Sequence, residues 1–84
     1  MKIVVRKVKE EGRGAEPATW LELLRVKTVL TLAGVVVSKG TPNDGCIEYP
    51  VIQCTKNLGE LALDLPTALQ GTGFQFIEID AEAA

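Results

Sequence analysis

An uncharged stretch of eleven residues, TVLTLAGVVVS from Thr28 to Ser38, constrains the fold more than any other part of the sequence. Most of its residues are valine, leucine or threonine, and a long uncharged run of this kind is typical of a strand buried inside a sheet. The sequence therefore predicts a strand over Lys27–Ser38. Gly34 within it indicates a bulge, a bend or a close approach of backbone. The run is too short to cross a bilayer, which takes about 20 apolar residues.

The segments before this run predict one strand and one short helix. Lys2–Lys9 is rich in β-branched residues, which favour a strand. Thr19 followed by Glu22 matches a capping box, in which each residue satisfies a backbone N–H of the other. We therefore predict a short helix over Thr19–Arg25. An extended strand is the competing interpretation, because apolar and basic residues alternate at the C-terminal end of that segment.

The segment after the run predicts a hairpin. Asp44-Gly45 is a tight-turn dipeptide, and a strand over Cys46–Thr55 follows it. Proline has no N–H to donate to a neighbouring strand, so Pro50 indicates that this strand lies at the edge of the sheet or breaks near Tyr49-Pro50.

The C-terminal third predicts two further strands. Glu60–Leu65 alternates between polar and apolar residues, as a strand does, although it could also begin a helix that Pro66 would interrupt. A short helical turn is expected over Pro66–Gln70 and a strand over Phe74–Asp80. We therefore predict an α+β fold with a mainly antiparallel sheet of four to five strands and one short helix. The alternative is a small all-β barrel.

The length and composition predict one compact domain with an apolar surface to cover. Residues 1–84 suit a single domain, with Glu10–Ala18 and the tail Ala81–Ala84 expected to be mobile. Hydrophobic residues make up 46% of the chain. That is high for a short chain, which has proportionally more surface to cover with polar groups. We therefore expect another copy of the chain, or a protein partner, to cover part of the apolar surface.

The charges are distributed unevenly along the chain. Met1–Ser38 carries seven basic and four acidic residues, a net charge of +3, whereas Lys39–Ala84 carries two basic and seven acidic residues, a net charge of −5. If the first and last strands are neighbours, basic residues of the first could pair with Glu78 and Asp80 of the last. The same complementarity could instead join two copies edge to edge.

The residues that usually carry chemistry are scarce. The chain has no histidine, which removes the usual proton shuttle and the commonest nitrogen ligand of metals. Cys46 and Cys54 are too few for a closed zinc site, and along one strand they would lie about 26 Å apart, beyond the reach of a disulfide. We interpret Glu78 and Asp80 as the solvated face of a strand rather than an acid–base pair. We expect packed thiols, no metal ion, no cofactor and no enzymatic activity.

The sequence favours a small non-enzymatic interaction or structural protein that self-associates through an apolar sheet face or an edge strand. The candidate interface residues are Trp20, Tyr49, Pro50 and Ile52. One alternative is a nucleic-acid-associated accessory protein, which is less favoured because no aromatic residues are interleaved with the basic ones. Its candidate phosphate contacts are Lys2, Arg6, Lys7, Lys9 and Arg13. A second alternative is a small-molecule binding module at an oligomer interface.

The N-terminal residues, MKIVVRKVKE, lack the long apolar core of a signal peptide. Together with the low cysteine content, this predicts a cytoplasmic protein with reduced thiols and no membrane partner.

Overall fold

A computed structural model describes residues 1–8, 19–43 and 45–81, which form five strands and two helices. The strands are β1 (Lys2–Lys7), β2 (Val35–Val37), β3 (Thr41–Asn43), β4 (Cys46–Cys54) and β5 (Phe74–Asp80). The helices are α1 (Trp20–Leu32) and α2 (Leu58–Ala68). The expected mobile segment Glu10–Ala18, residues 82–84 of the expected tail and Asp44 of the predicted turn lie outside the described residues.

The sheet is antiparallel, with strand order β2-β4-β1-β5, and β3 pairs with β4 beside β2. The helix α1 connects β1 to β2, which flank β4, and α2 connects β4 to β5, which flank β1. The chain thus forms two interleaved β-α-β units. This confirms the predicted α+β fold with a mainly antiparallel sheet. The sheet is open, so the alternative of a small barrel is wrong.

The helix α1 is longer than predicted. It begins after Thr19 as expected, but it continues to Leu32 and so includes the first five residues of the uncharged run. Gly34 follows with φ of 100°, a left-handed conformation that glycine adopts readily and that commonly ends helices. The predicted strand over Lys27–Ser38 is therefore wrong over its first half, and only Val35–Val37 is extended.

The prediction of a strand over Glu60–Leu65 is also wrong. This segment lies in α2, where Leu61 and Leu65 are buried on one side of the helix. The side chain of Asn57 caps the helix by accepting the N–H of Glu60 at 2.8 Å. Pro66 is exposed and lies in the last turn, so the hydrogen bond lost to proline affects only the end of the helix. The described chain thus has two helices rather than one short one.

The hydrophobic core lies between one face of the sheet and both helices. Its members are Ile3, Val5, Val26, Leu30, Val35, Val37, Ile47, Tyr49, Leu61, Leu65, Leu69 and Phe74. Because both helices contribute to this one cluster, they cover the same face of the sheet. The opposite face carries the alternate residues of each strand and is not covered by either helix.

The prediction that Pro50 marks an edge strand or a break is wrong. β4 is continuous and pairs with β1 on one side and with β2 and β3 on the other. The Pro50 carbonyl accepts the N–H of Ser38 at 2.8 Å, so the proline nitrogen faces the same side. Residues 38–40 separate β2 from β3 on that side. The missing N–H of Pro50 therefore faces the gap between β2 and β3. The edges of the sheet are β5 on one side and the β2–β3 pair on the other.

Gly40, in the segment that separates β2 from β3, is buried against the ring of Tyr49. A Cβ atom at this position would lie 2.7 Å from two ring carbons of Tyr49 and 3.1 Å from the Cγ2 atom of Ile47. These distances are too short for a side chain, so the packing requires glycine at position 40.

Candidate interaction surface

The first turn of α1 is fixed by the predicted capping box. The N–H of Glu22 donates to Thr19 Oγ1 at 3.2 Å, and the N–H of Thr19 donates to Glu22 Oε1 at 3.1 Å. Lys7 of β1 donates to the same carboxylate at 3.0 Å. The hydrogen bond from the Thr19 backbone, followed by that from Lys7, lowers the pKa of Glu22. The only acidic residue of α1 is therefore engaged with its own cap and with the sheet.

A buried tyrosine links the helix to the sheet. The Tyr49 hydroxyl, from β4, donates to the backbone carbonyl of Leu23 at 2.7 Å. Tyr49 is completely buried, and burial raises the pKa of its hydroxyl to about 12. This hydrogen bond and the Lys7–Glu22 pair both connect α1 to the sheet, on the side of the helix from which Val26 and Leu30 enter the core.

The other side of α1 is apolar as well. Trp20, Leu21, Leu24 and Leu32 are 70%, 61%, 49% and 83% exposed. Thr28 and Thr31 lie on this side too, but their hydroxyls donate to the carbonyls of Leu24 and Lys27 at 3.1 and 2.9 Å. Their polar groups are thus satisfied within the helix. We call the surface formed by these residues the outward stripe: Trp20, Leu21, Leu24, Thr28, Thr31 and Leu32.

The charges beside the outward stripe are positive. Arg25 is exposed next to Leu24, and Lys27 is partly exposed on the other flank. Since Glu22 is paired with Lys7, the outward side of α1 presents an apolar stripe flanked by cations.

The uncovered face of the sheet is polar at its centre. Lys2 and Glu48 form an ion pair at 2.9 Å across β1 and β4. The hydrogen bond between them is the main cause that raises the pKa of Lys2 and lowers that of Glu48. The pairing of β1 with β5 places Lys2 opposite Asp80 and Val4 opposite Glu78. The opposite charges of the first and last strands thus meet within one chain.

The predicted phosphate contacts do not form one cluster in the described residues. Lys2 and Arg6 lie on the uncovered face, where Arg6 donates to Gln75 at 3.1 Å. Lys7 lies on the helix side with Glu22, and Lys9 and Arg13 fall outside the described residues. Tyr49 and Phe74 are buried in the core and Phe76 packs against it, so none of these aromatic rings is available on the uncovered face for stacking on bases.

The four predicted interface residues lie in different parts of the molecule. Trp20 belongs to the outward stripe, whereas Tyr49 is in the core. Pro50 is exposed, and Ile52 is 66% exposed at an irregularity in the pairing of β4 with β2. Val51 packs against the core, so Ile52 points to the uncovered side of the sheet. Trp20 and Ile52 are therefore on opposite sides of the domain.

Both cysteines are free and partly buried. They lie at the two ends of the continuous strand β4, as the sequence predicted, and this separation prevents a disulfide between them. Cys54 packs against the core, and its thiol donates to the Lys56 carbonyl at 2.9 Å. The prediction of a packed thiol is therefore confirmed for Cys54.

Other features of the described residues do not suggest a chemical site. Within residues 1–8, 19–43 and 45–81, no three His, Cys, Asp or Glu side chains are grouped so that they could hold a metal ion. No helix in these ranges is both long and apolar enough to span a membrane. An open groove of about 600 Å³ beside the end of α2 is lined by Val8, Pro66, Leu69, Phe74 and neighbouring residues, and none of the described residues that line it is acidic or basic.

Comparison with known proteins finds no matching family model and no significantly similar curated protein or solved structure. Leu21, Leu24 and Leu32 were not among the residues predicted from the sequence. Leu21 and Leu24 share a side with Trp20 within the predicted helix over Thr19–Arg25, whereas Leu32 joins them only because the helix continues beyond Arg25.

Proposed function

We propose that this chain is a non-enzymatic protein-interaction domain that self-associates through the outward stripe of α1. The observation that carries the proposal is the exposure of Trp20, Leu21, Leu24 and Leu32 on the side of α1 opposite the core. A surface helix of a monomeric protein normally has one apolar side, and a helix that is apolar all round is normally buried. An extended apolar patch on a small domain usually marks an interaction site.

The composition of the stripe suits a binding surface. Tryptophan is enriched among the residues that dominate binding energy, and leucine packs beside it without polar groups to desolvate. Burying one leucine contributes about 1.5–3 kcal/mol, so the stripe offers several such contributions along one side of the helix. The uncovered sheet face, by contrast, carries the Lys2–Glu48 ion pair at its centre. The helix side therefore replaces the sheet face as the proposed surface.

Two further parts of the proposal have indirect support. The absence of histidine from the chain supports a non-enzymatic role. The free thiols of Cys46 and Cys54 are compatible with a reducing compartment, and we propose a cytoplasmic location on that basis.

Light scattering over a concentration series tests the proposal. We expect the mass to rise from 9.0 kDa toward twice that value as the concentration increases. Leu24→Gln should raise the dissociation constant at least about tenfold, because the burial of each leucine contributes more than the ~1.4 kcal/mol that corresponds to a factor of ten. Glutamine is a good helix former, so the substitution should leave α1 folded.

Ile52→Gln is the matched control, because it removes an apolar side chain that is even more exposed than Leu24, 66% against 49%, from the uncovered side of the sheet. Its dissociation constant should equal that of the unmodified protein. A mass of 9.0 kDa at every concentration would disprove self-association. Loss of association in Ile52→Gln but not in Leu24→Gln would show that the interface lies on the sheet instead.

A further inference from the structure

We infer that the self-association is a two-fold dimer in which α1 of each copy packs on α2 of the other. This inference rests on the proposed function, and it identifies the occupant of the outward stripe as the outer side of α2. The α1 and α2 helices cover the same face of the sheet, so a two-fold axis over this helical layer can form both contacts at once.

The α1 helix of one copy could pack on either α1 or α2 of the other copy, and the charges of the helices favour α2. If α1 packed on α1, Arg25 and Lys27 would meet the same cations of the second copy. The only acidic residue of the helix, Glu22, is already engaged with Lys7. If α1 packs on α2, these cations meet a helix that carries Glu60 and Asp64 and no basic residue. Opposite charges across an interface favour the second arrangement, and like charges oppose the first.

The exposed residues of the two helices have the spacing of a knob and a hole. α2 presents Leu63, which is 77% exposed, on the side away from its buried leucines. In α1, Leu21, Leu24, Arg25 and Thr28 stand at positions i, i+3, i+4 and i+7, the spacing of four residues that form a hole for one knob from a facing helix. Thr28 is the smallest of them and makes room on one side of the hole.

The polar neighbours of this knob and hole can pair with each other. Glu60 lies three residues before Leu63, so the two side chains are neighbours on the surface of α2. Glu60 is exposed and accepts a hydrogen bond from the neutral Asn57 side chain at 3.1 Å, whereas Asp64 forms an ion pair with Lys56 at 2.7 Å. Arg25 is the charged member of the hole. A Leu63 knob seated in this hole therefore brings Glu60 of one copy toward Arg25 of the other, twice per dimer.

A charge-exchange experiment tests the arrangement. Arg25→Glu alone places two carboxylates against each other at each contact, and Glu60→Arg alone places two guanidinium groups against each other. Each variant should dimerise about tenfold or more weakly than the unmodified protein, because two attractive contacts become repulsive in each dimer. In an equimolar mixture, the heterodimer has one contact between the two substituted residues and one between the two original residues. Both contacts are again attractive, so its dissociation constant should lie within about threefold of that of the unmodified dimer.

The outcomes separate this inference from the proposed function. If the unmodified protein dimerises and Leu24→Gln abolishes it, but Glu60→Arg has no effect, α1 is the docking surface and its pairing with α2 is wrong. If the two variants remain weak when mixed, the pairing of Arg25 with Glu60 is wrong. Circular dichroism and the Tm of each single variant, measured at a concentration where all are monomeric, show that a loss of dimer is not a loss of fold.

Discussion

The two helices cover the same face of the sheet but differ in what they present to the outside. The α2 helix has buried leucines on one side, and Glu60 and Asp64 lie on its remaining surface, as expected of a surface helix. The α1 helix has Val26 and Leu30 in the core and large apolar side chains on its outer side as well. The difference indicates that α1 presents a broad apolar surface, whereas α2 presents the exposed Leu63 beside acidic side chains.

The largest effects should come from the inward side of both helices. Leu30→Ala in α1 and Leu65→Ala in α2 should each lower the free energy of unfolding by about 2–5 kcal/mol, because both side chains are completely buried and leave a cavity. Urea unfolding followed by circular dichroism measures this loss. In dilute protein, Leu24→Ala and Leu63→Ala should each change it by less than about 0.5 kcal/mol. A loss of several kcal/mol for Leu24→Ala under those conditions would contradict the outward position of that residue.

Substitutions of the two N-cap residues should have a smaller effect on stability than the core substitutions. They allow the N-termini of α1 and α2 to be compared directly. Thr19→Ala and Asn57→Ala should each lower the free energy of unfolding by about 0.5–2 kcal/mol. Only Thr19→Ala should also alter the stability in acid. The lowered pKa of Glu22 means that its contribution is complete above the ordinary value of 4.5 and is lost as pH falls through the lower value of the folded protein.

Thermal unfolding over the acidic range up to neutral pH measures this dependence. The dependence of Tm on pH below pH 4.5 should be weaker in Thr19→Ala than in the unmodified protein, since the substitution removes the Thr19 hydroxyl, one of the donors that lower the pKa of Glu22. Asn57→Ala, which leaves Glu22 unchanged, is the control. If Tm depended on pH in the same way in all three proteins, the role assigned to the capping box would be wrong.

The hydrogen bond between β4 and α1 should have the smallest effect at neutral pH. Tyr49→Phe should cost about 0.5–1.5 kcal/mol through the lost bond to the Leu23 carbonyl. Because the pKa of Tyr49 is raised from 10.0 to about 12, its contribution is complete below pH 10 and is lost as pH rises toward 12. Tyr49→Phe should therefore lose less stability over that range than the unmodified protein.

The Tm measured from neutral pH up to pH 12 checks this difference. Lys2 and Lys56, whose pKa values are raised chiefly by hydrogen bonds to Glu48 and Asp64, lose their contributions at alkaline pH in both proteins. The difference between the two curves thus isolates Tyr49. If Tm fell equally in both proteins as the pH rose, the Tyr49 hydroxyl would not stabilise the folded protein through its bond to the Leu23 carbonyl.

The sequence predicted the parts of the fold that depend on local signals. The capping box at Thr19 and Glu22 located the start of α1, and alternation in Phe74–Asp80 located β5. The end of α1 was not predictable in this way, because apolar residues on both sides of the helix conceal its 3.6-residue period. The α2 helix was missed because Glu60–Leu65 alternates like a strand. Its signal was the capping pair Asn57 and Glu60, three residues apart.

The prediction of the candidate surface was limited by the same error in the length of α1. Trp20 was among the predicted interface residues, but Thr28, Thr31 and Leu32 could not be grouped with it while Lys27–Ser38 was interpreted as a strand. Tyr49 was selected because tyrosine is common at interfaces, yet its burial depends on which strands and helices surround it. Tertiary packing decides both points, and no local pattern in the sequence contains that information.

The glycine at position 40 has a consequence for a surface that it does not touch. Its missing side chain allows the Tyr49 ring to lie against the backbone, and the hydroxyl of that ring holds the Leu23 carbonyl beside Leu24 of the outward stripe. A methyl group added at Gly40 would displace the ring and with it the hydroxyl that is bonded to this turn of α1. The proposed binding surface is therefore open to adjustment by substitutions beneath the helix, at a buried residue that no binding assay of surface variants would include.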